Sequence, residues 1–233
     1  MSNKKNKVVV KKRKIKKKVI GICLIIMAIV GLCIYGLFQI RITNIYISNN
    51  EILTDYEIIK IAKLEHYPNS LENDSLKIKK RLEKNKLIKS VNVKKRGLFH
   101  EVYIEVEENK PLFYYQIKET NILADGKEYD GNYNIPIVTN EIAEEVFDEF
   151  LQEMNKVDKD VMLKISEIKY DPNDIDKERF YLTMNDGNYV YLTLNKFNKI
   201  NSYLEIVKSF NDTKGILYLD SGEYFEIFND VEE

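Results

Sequence analysis

The spacing of hydrophobic and polar positions changes several times along the chain, and each change predicts a different element. Residues 19–38, VIGICLIIMAIVGLCIYGLF, are twenty consecutive positions without a charge. At a helical rise of about 1.5 Å per residue, such a run spans the roughly 30 Å hydrocarbon core of a bilayer. The pattern therefore predicts a membrane-spanning helix, with an anchor segment at residues 19–40.

The apolar run has two interpretations, an uncleaved anchor and a cleaved signal peptide. A signal peptide has a shorter apolar region with a small-x-small cleavage site behind it. The residues that follow here, QIRITNIYI, contain no such site. Length and flanking sequence therefore favour an uncleaved signal anchor.

Behind the anchor, residues 41–110 change between strand-like and helix-like spacing. Ile42–Ile47 alternates with a period of two, which predicts a strand. The segment LTDYEIIKIAKL predicts a helix with Thr54 as N-cap and Glu57 as its capping-box partner, and a second helix is expected at Asp74–Asn85. Strands are expected in KSVNVKKR and VYIEVEE, so the predicted order is β-α-α-β-β. The apolar positions expected to face one another are Ile58, Ile61, Ala62, Leu71, Ile78, Leu82, Val91, Val93, Val102, Ile104 and Val106.

Charge is distributed unevenly and bears on orientation. Residues 1–18 contain ten Lys or Arg and no acid, so the rest of the chain has 26 basic against 37 acidic residues. Basic residues before a span keep that side in the cytoplasm, which predicts a basic cytoplasmic tail and an exported C-terminal body. Two contacts fit this tail, nucleic acid and anionic membrane lipid. Its position before the span and its lack of aromatic residues favour lipid.

Few residues offer catalytic or metal-binding chemistry. The two histidines, His66 and His100, fall on predicted turns, and HExxH, CxxC and GxSxG motifs do not occur. The segment DPNDID at residues 171–176 lacks the central Gly and closing Glu of a calcium loop. Both cysteines, Cys23 and Cys33, lie in the apolar run, so we expect the exported part to fold without disulfides. We expect no enzyme activity, cofactor, metal, small-molecule substrate or nucleic acid.

A single anchor followed by a β-α-α-β-β unit with VNVKKR and VYIEVEENKP resembles the FtsQ/DivIB family of bacterial cell division proteins. The resemblance implies a polypeptide-transport-associated (POTRA) domain at residues 41–110. Phe99 stands where the family has Pro, so the turn before the third strand is expected to differ in shape. The positions that match the family pattern are Val91, Val93, Lys95, Ile104, Val106, Glu107 and Pro111, with Val102 in place of a Leu.

The resemblance continues over residues 111–229 and implies a β-rich domain with two helices, followed by an acidic tail at residues 230–233. It implies a hairpin at Asn121–Thr139, with an Asp-Gly turn and a hydrophobic-Pro-hydrophobic return strand. EIAEEVFDEFLQEMNKV and FNKINSYLEIVKSF are the expected helices, ISEIKYD is a strand and FYLTMNDGNYVYLTL is a second hairpin. GILYLDSGEYFEIF, Gly215–Phe228, predicts a last hairpin whose final strand is an exposed sheet edge. The expected fold class is α+β, with an N-terminal transmembrane helix.

The family implies a non-enzymatic divisome scaffold, a single-pass type II protein of the cell membrane at the division septum. It would bind FtsB/DivIC-like and FtsL-like coiled-coil membrane proteins and help localise and regulate septal peptidoglycan synthesis. The partner is expected to add backbone hydrogen bonds along the last strand. The residues that match the family's partner-binding segment, or fall on the strand behind it, are Leu219, Asp220, Ser221, Gly222, Tyr224 and Ile227.

Several alternatives stay open at this point. Leu219 and Ile227 fit a core position as well as a partner contact, and only one of Tyr224 and Phe225 can face the core. Gly222 fits a tight turn that needs a residue tolerant of positive φ. A membrane-anchored cell-wall enzyme would need a pocket with perturbed acids. A POTRA-type protein-transport component would need repeated POTRA units and a barrel or partner pore.

Overall fold

The computed structural model of the protein describes residues 17–228. The expected acidic tail, 230–233, and all but the last two residues of the expected basic tail, 1–18, lie outside the described residues. Helix α1, Lys17–Phe38, is 22 residues long and none of its residues is buried. Its most apolar window has a mean hydropathy of 2.7, so it is long and apolar enough to cross a bilayer, as predicted.

Three strands and two helices form the first unit behind α1, in the predicted β-α-α-β-β order. The sheet order is β1-β3-β2, with β1 parallel and β2 antiparallel to β3. The helices cover one face of this sheet, and all predicted core positions are buried or partly buried except Leu71. The elements are β1 (Asn44–Ser48), α2 (Asp55–Ala62), α3 (Ser75–Leu82), β2 (Ile88–Arg96) and β3 (Glu101–Glu108).

Local hydrogen bonds explain where the helices of this unit begin and end. The capping box of α2 is present, with the Thr54 N–H donating to the Glu57 carboxylate at 2.8 Å. Helix α3 ends three residues earlier than expected, because the side chain of Asn85 accepts from the Leu87 N–H and forms a local turn. The prediction for Leu71 was wrong, since Asn69 accepts its N–H in a turn before α3 that leaves the side chain exposed.

Between residues 111 and 228 the structure describes a mixed nine-stranded sheet in the order β12-β11-β10-β9-β8-β7-β4-β5-β6. Strands β10 and β11, β7 and β8, and β4 and β7 pair in parallel, and the other neighbours are antiparallel. The strands are β4 (Pro111–Tyr115), β5 (Thr120–Leu123), β6 (Glu128–Tyr129), β7 (Ile137–Val138), β8 (Ile165–Tyr170), β9 (Arg179–Met184), β10 (Tyr189–Thr193), β11 (Gly215–Tyr218) and β12 (Tyr224–Ile227).

The hairpin expected at Asn121–Thr139 is only half present. Strand β5 does return through the Asp-Gly turn, but its partner is β6, which the Asn121 side chain holds by donating to the carbonyls of Tyr129 and Gly131. The hydrophobic-Pro-hydrophobic segment instead becomes β7, parallel to both β4 and β8. Its Val138 is completely buried, so this segment belongs in the middle of the sheet rather than in a surface hairpin.

Helices cover one face of the large sheet, which is the predicted α+β arrangement. Helix α4 (Glu144–Met154) is followed by the single turn α5 (Lys159–Met162). The second predicted helix is a 3₁₀ segment, Leu194–Ser202, that continues as α6 (Tyr203–Ser209). Phe150 stacks on Phe180 with ring centroids 4.8 Å apart, at the centre of this core. The expected domain boundaries at residues 110 and 111 stay a prediction.

Candidate functional site

The candidate site is the edge hairpin, which we define as residues 215–228. Strands β11 and β12 pair antiparallel, with Gly215 opposite Ile227 and Tyr218 opposite Tyr224. Strand β11 also pairs in parallel with β10, so the hairpin continues the large sheet. Strand β12 is the outermost strand in the described residues, and one of its two sides therefore carries no ladder partner there.

The hydrogen-bonding pattern shows which groups of β12 face outward. The N–H of Phe228 donates to the carbonyl of Lys214 at 3.0 Å. In an antiparallel ladder, residues bond to the neighbouring strand alternately. Positions 224, 226 and 228 therefore point their backbone groups toward β11, and Phe225 and Ile227 point theirs to the open edge.

Gly215 lets the two strands of the hairpin approach closely. A Cβ atom at this position would stand 2.8 Å from the ring of Phe225 and closer still to the Glu226 carbonyl oxygen. The Gly215 N–H donates to the side chain of Asn188, which is completely buried and donates in turn to the Tyr203 hydroxyl. Gly215 was not predicted from sequence, although a glycine inside a strand-like run is a signal of close backbone approach.

Hydrogen bonds on the inner side fix the turn of the edge hairpin. Leu219 is buried, and its N–H donates to the Tyr191 carbonyl at 2.7 Å. The Ser221 N–H donates to the Asp220 carboxylate at 2.7 Å, and Lys196 donates to the Asp220 carbonyl at 2.8 Å. The expectation for Gly222 was wrong: its φ is not positive, because the Asp220 side chain shapes this turn.

Asp220 is also one half of a partly buried ion pair. The Arg179 Nε donates to it at 2.8 Å, and the same guanidinium donates to Asp171 at 2.8 Å and lies 3.9 Å above the ring of Tyr191. Burial alone would raise the pKa of Asp220, but the hydrogen bonds from Arg179 and Ser221 outweigh it and hold the pKa below the ordinary value. Arg179 was not identified from sequence, because its partner in the edge hairpin, Asp220, is 41 residues away along the chain.

Tyrosines form a continuous row on the face of the sheet opposite the helices. Tyr191 stacks on Tyr218 at 5.5 Å, and Tyr218 stacks on Tyr224 at 4.6 Å. The row continues to Tyr181, 4.8 Å from Tyr191, and to Tyr189. Burial, followed by its tyrosine neighbours, raises the pKa of Tyr181 to about 12, so the hydroxyl stays protonated. We name these five side chains the tyrosine face; single-sequence alternation gives no register across four strands, so it was not predicted.

The predicted partner-binding residues occupy different environments. Tyr224 and Ile227 are exposed, at 50% and 45%, while Leu219 lies in the core, which was one of its two expected positions. Phe225 packs partly against the core, so Tyr224 is the outward member of that pair, as expected from alternation. Asp220, Ser221 and Gly222 lie together in the turn. Contact of these residues with a partner stays a prediction.

The residues weighed for other chemistry have local partners. His100 Nδ1 lies 2.9 Å from the carbonyl of Arg41, and His66 is exposed on a loop. Asp171, in the segment with a faint likeness to a calcium loop, binds Arg179 instead. Among residues 17–228, no three His, Cys, Asp or Glu side chains are grouped so that they could hold a metal ion.

Comparison with known proteins assigns the family. Residues 40–109 match the POTRA domain of the FtsQ type. The cell division protein DivIB of Listeria monocytogenes is 30% identical over 227 residues, covering 90% of this chain and 80% of that protein. DivIB of Bacillus subtilis is 24% identical, covering 94% and 86%.

The solved extracytoplasmic domain of DivIB from Geobacillus stearothermophilus covers 46% of this chain and 97% of that one, at 20% identity and a TM-score of 0.38. A global overlap of this size supports no conclusion about the chain. The family is shown instead by the 30% identity to the Listeria protein, which extends over most of both sequences, and by the match to the POTRA domain. The chain belongs to the FtsQ/DivIB family of bacterial cell division proteins.

Proposed function

We propose that the protein is a non-enzymatic scaffold of the divisome that binds FtsB/DivIC-like and FtsL-like coiled-coil membrane proteins. Its role is to help localise and regulate septal peptidoglycan synthesis. The relatives are cell division proteins, and the family and its POTRA domain indicate a non-catalytic role. The observation that carries the proposal is the open side of β12, at which a partner strand can extend the large sheet.

The open edge offers a defined set of backbone groups. Phe225 and Ile227 each present one N–H and one C=O, so a partner strand gains up to four hydrogen bonds, each worth about 0.5–1.5 kcal/mol net. The free energy from these backbone hydrogen bonds is small for a stable complex, so side-chain contacts must supply the remaining free energy of binding. Tyr218 and Tyr224 lie beside the edge on the outer face, and tyrosine is enriched among the residues that dominate binding energy at interfaces.

Orientation is part of the same proposal. With the basic residues 1–18 in the cytoplasm, the edge hairpin lies on the exported side, where septal wall synthesis takes place. The protein is then a type II membrane protein at the division septum, with its basic tail on anionic lipid. A reporter fused after Glu233 should be active only outside the cytoplasm; activity inside would reverse the topology and contradict the proposed function.

A proline substitution tests the edge directly. Ile227→Pro removes an outward N–H while leaving the N–H groups at 226 and 228 free to bond to β11. We expect it to weaken capture of the DivIC-like and FtsL-like proteins by about tenfold or more, which corresponds to about 1.4 kcal/mol. Ile227→Ala is the matched control, because it shortens the same side chain and keeps the N–H, and it should capture the partners nearly as well as the unmodified protein.

Both variants need a check on the hairpin itself. Hydrogen exchange at the Phe228 amide, which bonds to Lys214, reports whether β12 is still paired with β11. If Ile227→Pro keeps this protection and still captures both partners as the unmodified protein does, strand addition at β12 is wrong.

A further inference from the structure

Two loops of the POTRA domain hold the chain where it leaves the membrane-spanning helix. We name residues 65–71 and 97–100 the collar loops. The Ser70 N–H donates to the carbonyl of Ile40 at 2.8 Å, and the Ile42 N–H donates to that of Pro68 at 3.0 Å. The second loop joins through His100, whose carbonyl accepts from the Thr43 N–H at 2.9 Å. The collar loops are therefore fixed to the residues directly behind α1.

The collar loops expose large apolar side chains. Leu98 is 82% exposed, Tyr67 64% and Phe99 48%. All three have a positive φ, of 53°, 55° and 73°, in the left-handed region that such residues rarely adopt. The Ser70 hydroxyl donates to the Phe99 carbonyl at 2.6 Å, which joins the two loops to each other. The three apolar side chains are left exposed on the surface of the joined loops.

Distances place these side chains at the level of the lipid headgroups. The uncharged run that ends at Phe38 is about 30 Å long, so Phe38 lies at the edge of the hydrocarbon core. The Phe99 carbonyl is connected to Ile40 by two hydrogen bonds through Ser70, which keeps it within roughly 10 Å of that residue. The interfacial layer outside the core is itself about 5–8 Å thick on each side.

The chemistry of the collar suits this layer. Aromatic side chains are enriched at membrane–water interfaces, as Tyr67 and Phe99 would be here. Arg41 is exposed and donates to the Tyr67 carbonyl at 3.3 Å, which brings a basic group to headgroup level. A long basic side chain can lay its apolar stem along lipid while its guanidinium reaches the phosphates.

We propose that Tyr67, Leu98 and Phe99 insert into the interfacial layer of the bilayer leaflet from which α1 emerges. They form a second membrane contact besides the anchor and fix the tilt of the POTRA domain against the membrane. Lipid is the contact we propose, because the collar loops are hydrogen-bonded to the residues directly behind α1 and therefore stay close to the bilayer that α1 spans. The contact is independent of the edge hairpin and of any partner.

The chain contains no tryptophan, so single-tryptophan variants give a clean signal. The full-length protein carrying Leu98→Trp, Phe99→Trp or Tyr67→Trp is reconstituted into vesicles of phosphatidylcholine and phosphatidylglycerol, with and without acyl chains brominated near the headgroup. We expect the indole emission of all three variants to shift to the blue and to be quenched by the brominated lipid.

Tyr56→Trp is the matched control, since Tyr56 is in the same domain and, like Tyr67, is 64% exposed. It is the second residue of α2 and lies beside the loop at residues 51–53, which Glu108 binds at the far end of β3. Strand β3 is eight residues long, so this end lies roughly 23 Å from the collar and its indole should stay unquenched. Tyr35→Trp, within α1, confirms insertion of the anchor.

Two results decide the proposal. If Leu98→Trp is quenched no more than Tyr56→Trp while Tyr35→Trp is quenched, the collar faces water or another protein and the proposal is wrong. If the indoles are quenched, adding Leu98→Glu to the Phe99→Trp variant should lower the quenching, because a carboxylate resists entry into the bilayer. Unchanged quenching in that double variant would also overturn the proposal, provided circular dichroism shows the same fold.

Discussion

Replacing Gly215 by alanine should detach β12 from β11 while leaving the rest of the large sheet in place. The new Cβ would stand 2.8 Å from a ring carbon of Phe225, whereas carbon atoms in contact are normally about 3.5–4.0 Å apart. The Glu226 carbonyl, which is nearer still, belongs to the ladder with β11 and cannot turn away without losing a hydrogen bond. The two strands must therefore separate by about 1 Å.

The magnitude follows from these two penalties. Overpacking of this kind costs about 1–3 kcal/mol, and a weakened ladder bond adds about 1 kcal/mol. A total of about 2–4 kcal/mol would increase the equilibrium constant for opening of the hairpin by roughly 25- to 700-fold. Partner capture should fall in so far as this depletes the fraction with β12 in place, because only that fraction is competent to bind.

Hydrogen exchange of the amides at residues 224–228, in the full-length protein in detergent, measures this opening. Gly222→Ala is the matched control, because Gly222 lies in the same hairpin without positive φ and a Cβ there would meet only the Tyr224 ring at 3.1 Å. We expect it to change exchange by about twofold or less, as for an ordinary surface substitution. Equal effects of the two alanines would refute the reasoning from close approach at Gly215.

Two further predictions concern carboxylates that are buried or partly buried. The pKa of Asp220 is lowered from its ordinary value of 3.8 in the folded protein. The Asp220–Arg179 pair therefore stabilises the hairpin fully above pH 3.8, and this stabilisation is lost as the pH falls through the lower pKa of the folded state. Hydrogen exchange at residues 224–228 should rise in that pH range, and Asp220→Asn should remove this pH dependence. The Glu108 carboxylate accepts hydrogen bonds from the backbone N–H groups of residues 51, 52 and 53, each at 2.8 Å. Glu108→Gln should therefore lower the free energy of unfolding, measured in urea, by about 1.5–3 kcal/mol. Glu107→Gln, at an exposed position, should change it by about 1 kcal/mol or less.

The parts of the fold that were predictable from sequence are those set by local rules. The capping box at Thr54 and the period of two in Val102, Ile104 and Val106 depend on neighbours along the chain, and both are present in the structure. The position of β7 depends instead on parallel pairing with β4 and β8, which leaves no local signature. The sequence around β7, a strand of only two residues, therefore predicted the return strand of a hairpin although β7 lies in the middle of the sheet.

In the candidate site, too, the features set by neighbours along the chain were predictable from sequence and those set by contacts between elements were not. Alternation in β12 predicted that only one of Tyr224 and Phe225 faces the core, because that rule needs only one strand; it left open which of the two, and the structure places Phe225 inward and Tyr224 outward. The importance of Gly215 arises from its register with β12 across the hairpin, and that of Arg179 from a carboxylate 41 residues away in the turn at Asp220. Gly222 was singled out because glycine in a turn usually signals positive φ, whereas its φ is not positive and the turn contains a hydrogen bond from the Ser221 N–H to the Asp220 carboxylate.

The two edges of the large sheet differ in a way that bears on the proposed function. At one edge, β6 has only two residues, and Glu128 on it pairs with Lys118, so short length and charge protect that edge from pairing with another chain. At the other edge, β12 has four residues, Tyr-Phe-Glu-Ile, with neither proline nor lysine among them. The Glu226 side chain lies on the same face as that of Tyr224, because side chains alternate along a strand, and its backbone groups bond toward β11. The sheet thus has one protected edge and one edge with free backbone groups, and this difference supports the proposal that β12 pairs with a partner strand. A lysine or proline at the exposed position 227 would give β12 the protection that β6 has, and should remove partner capture before it removes the fold.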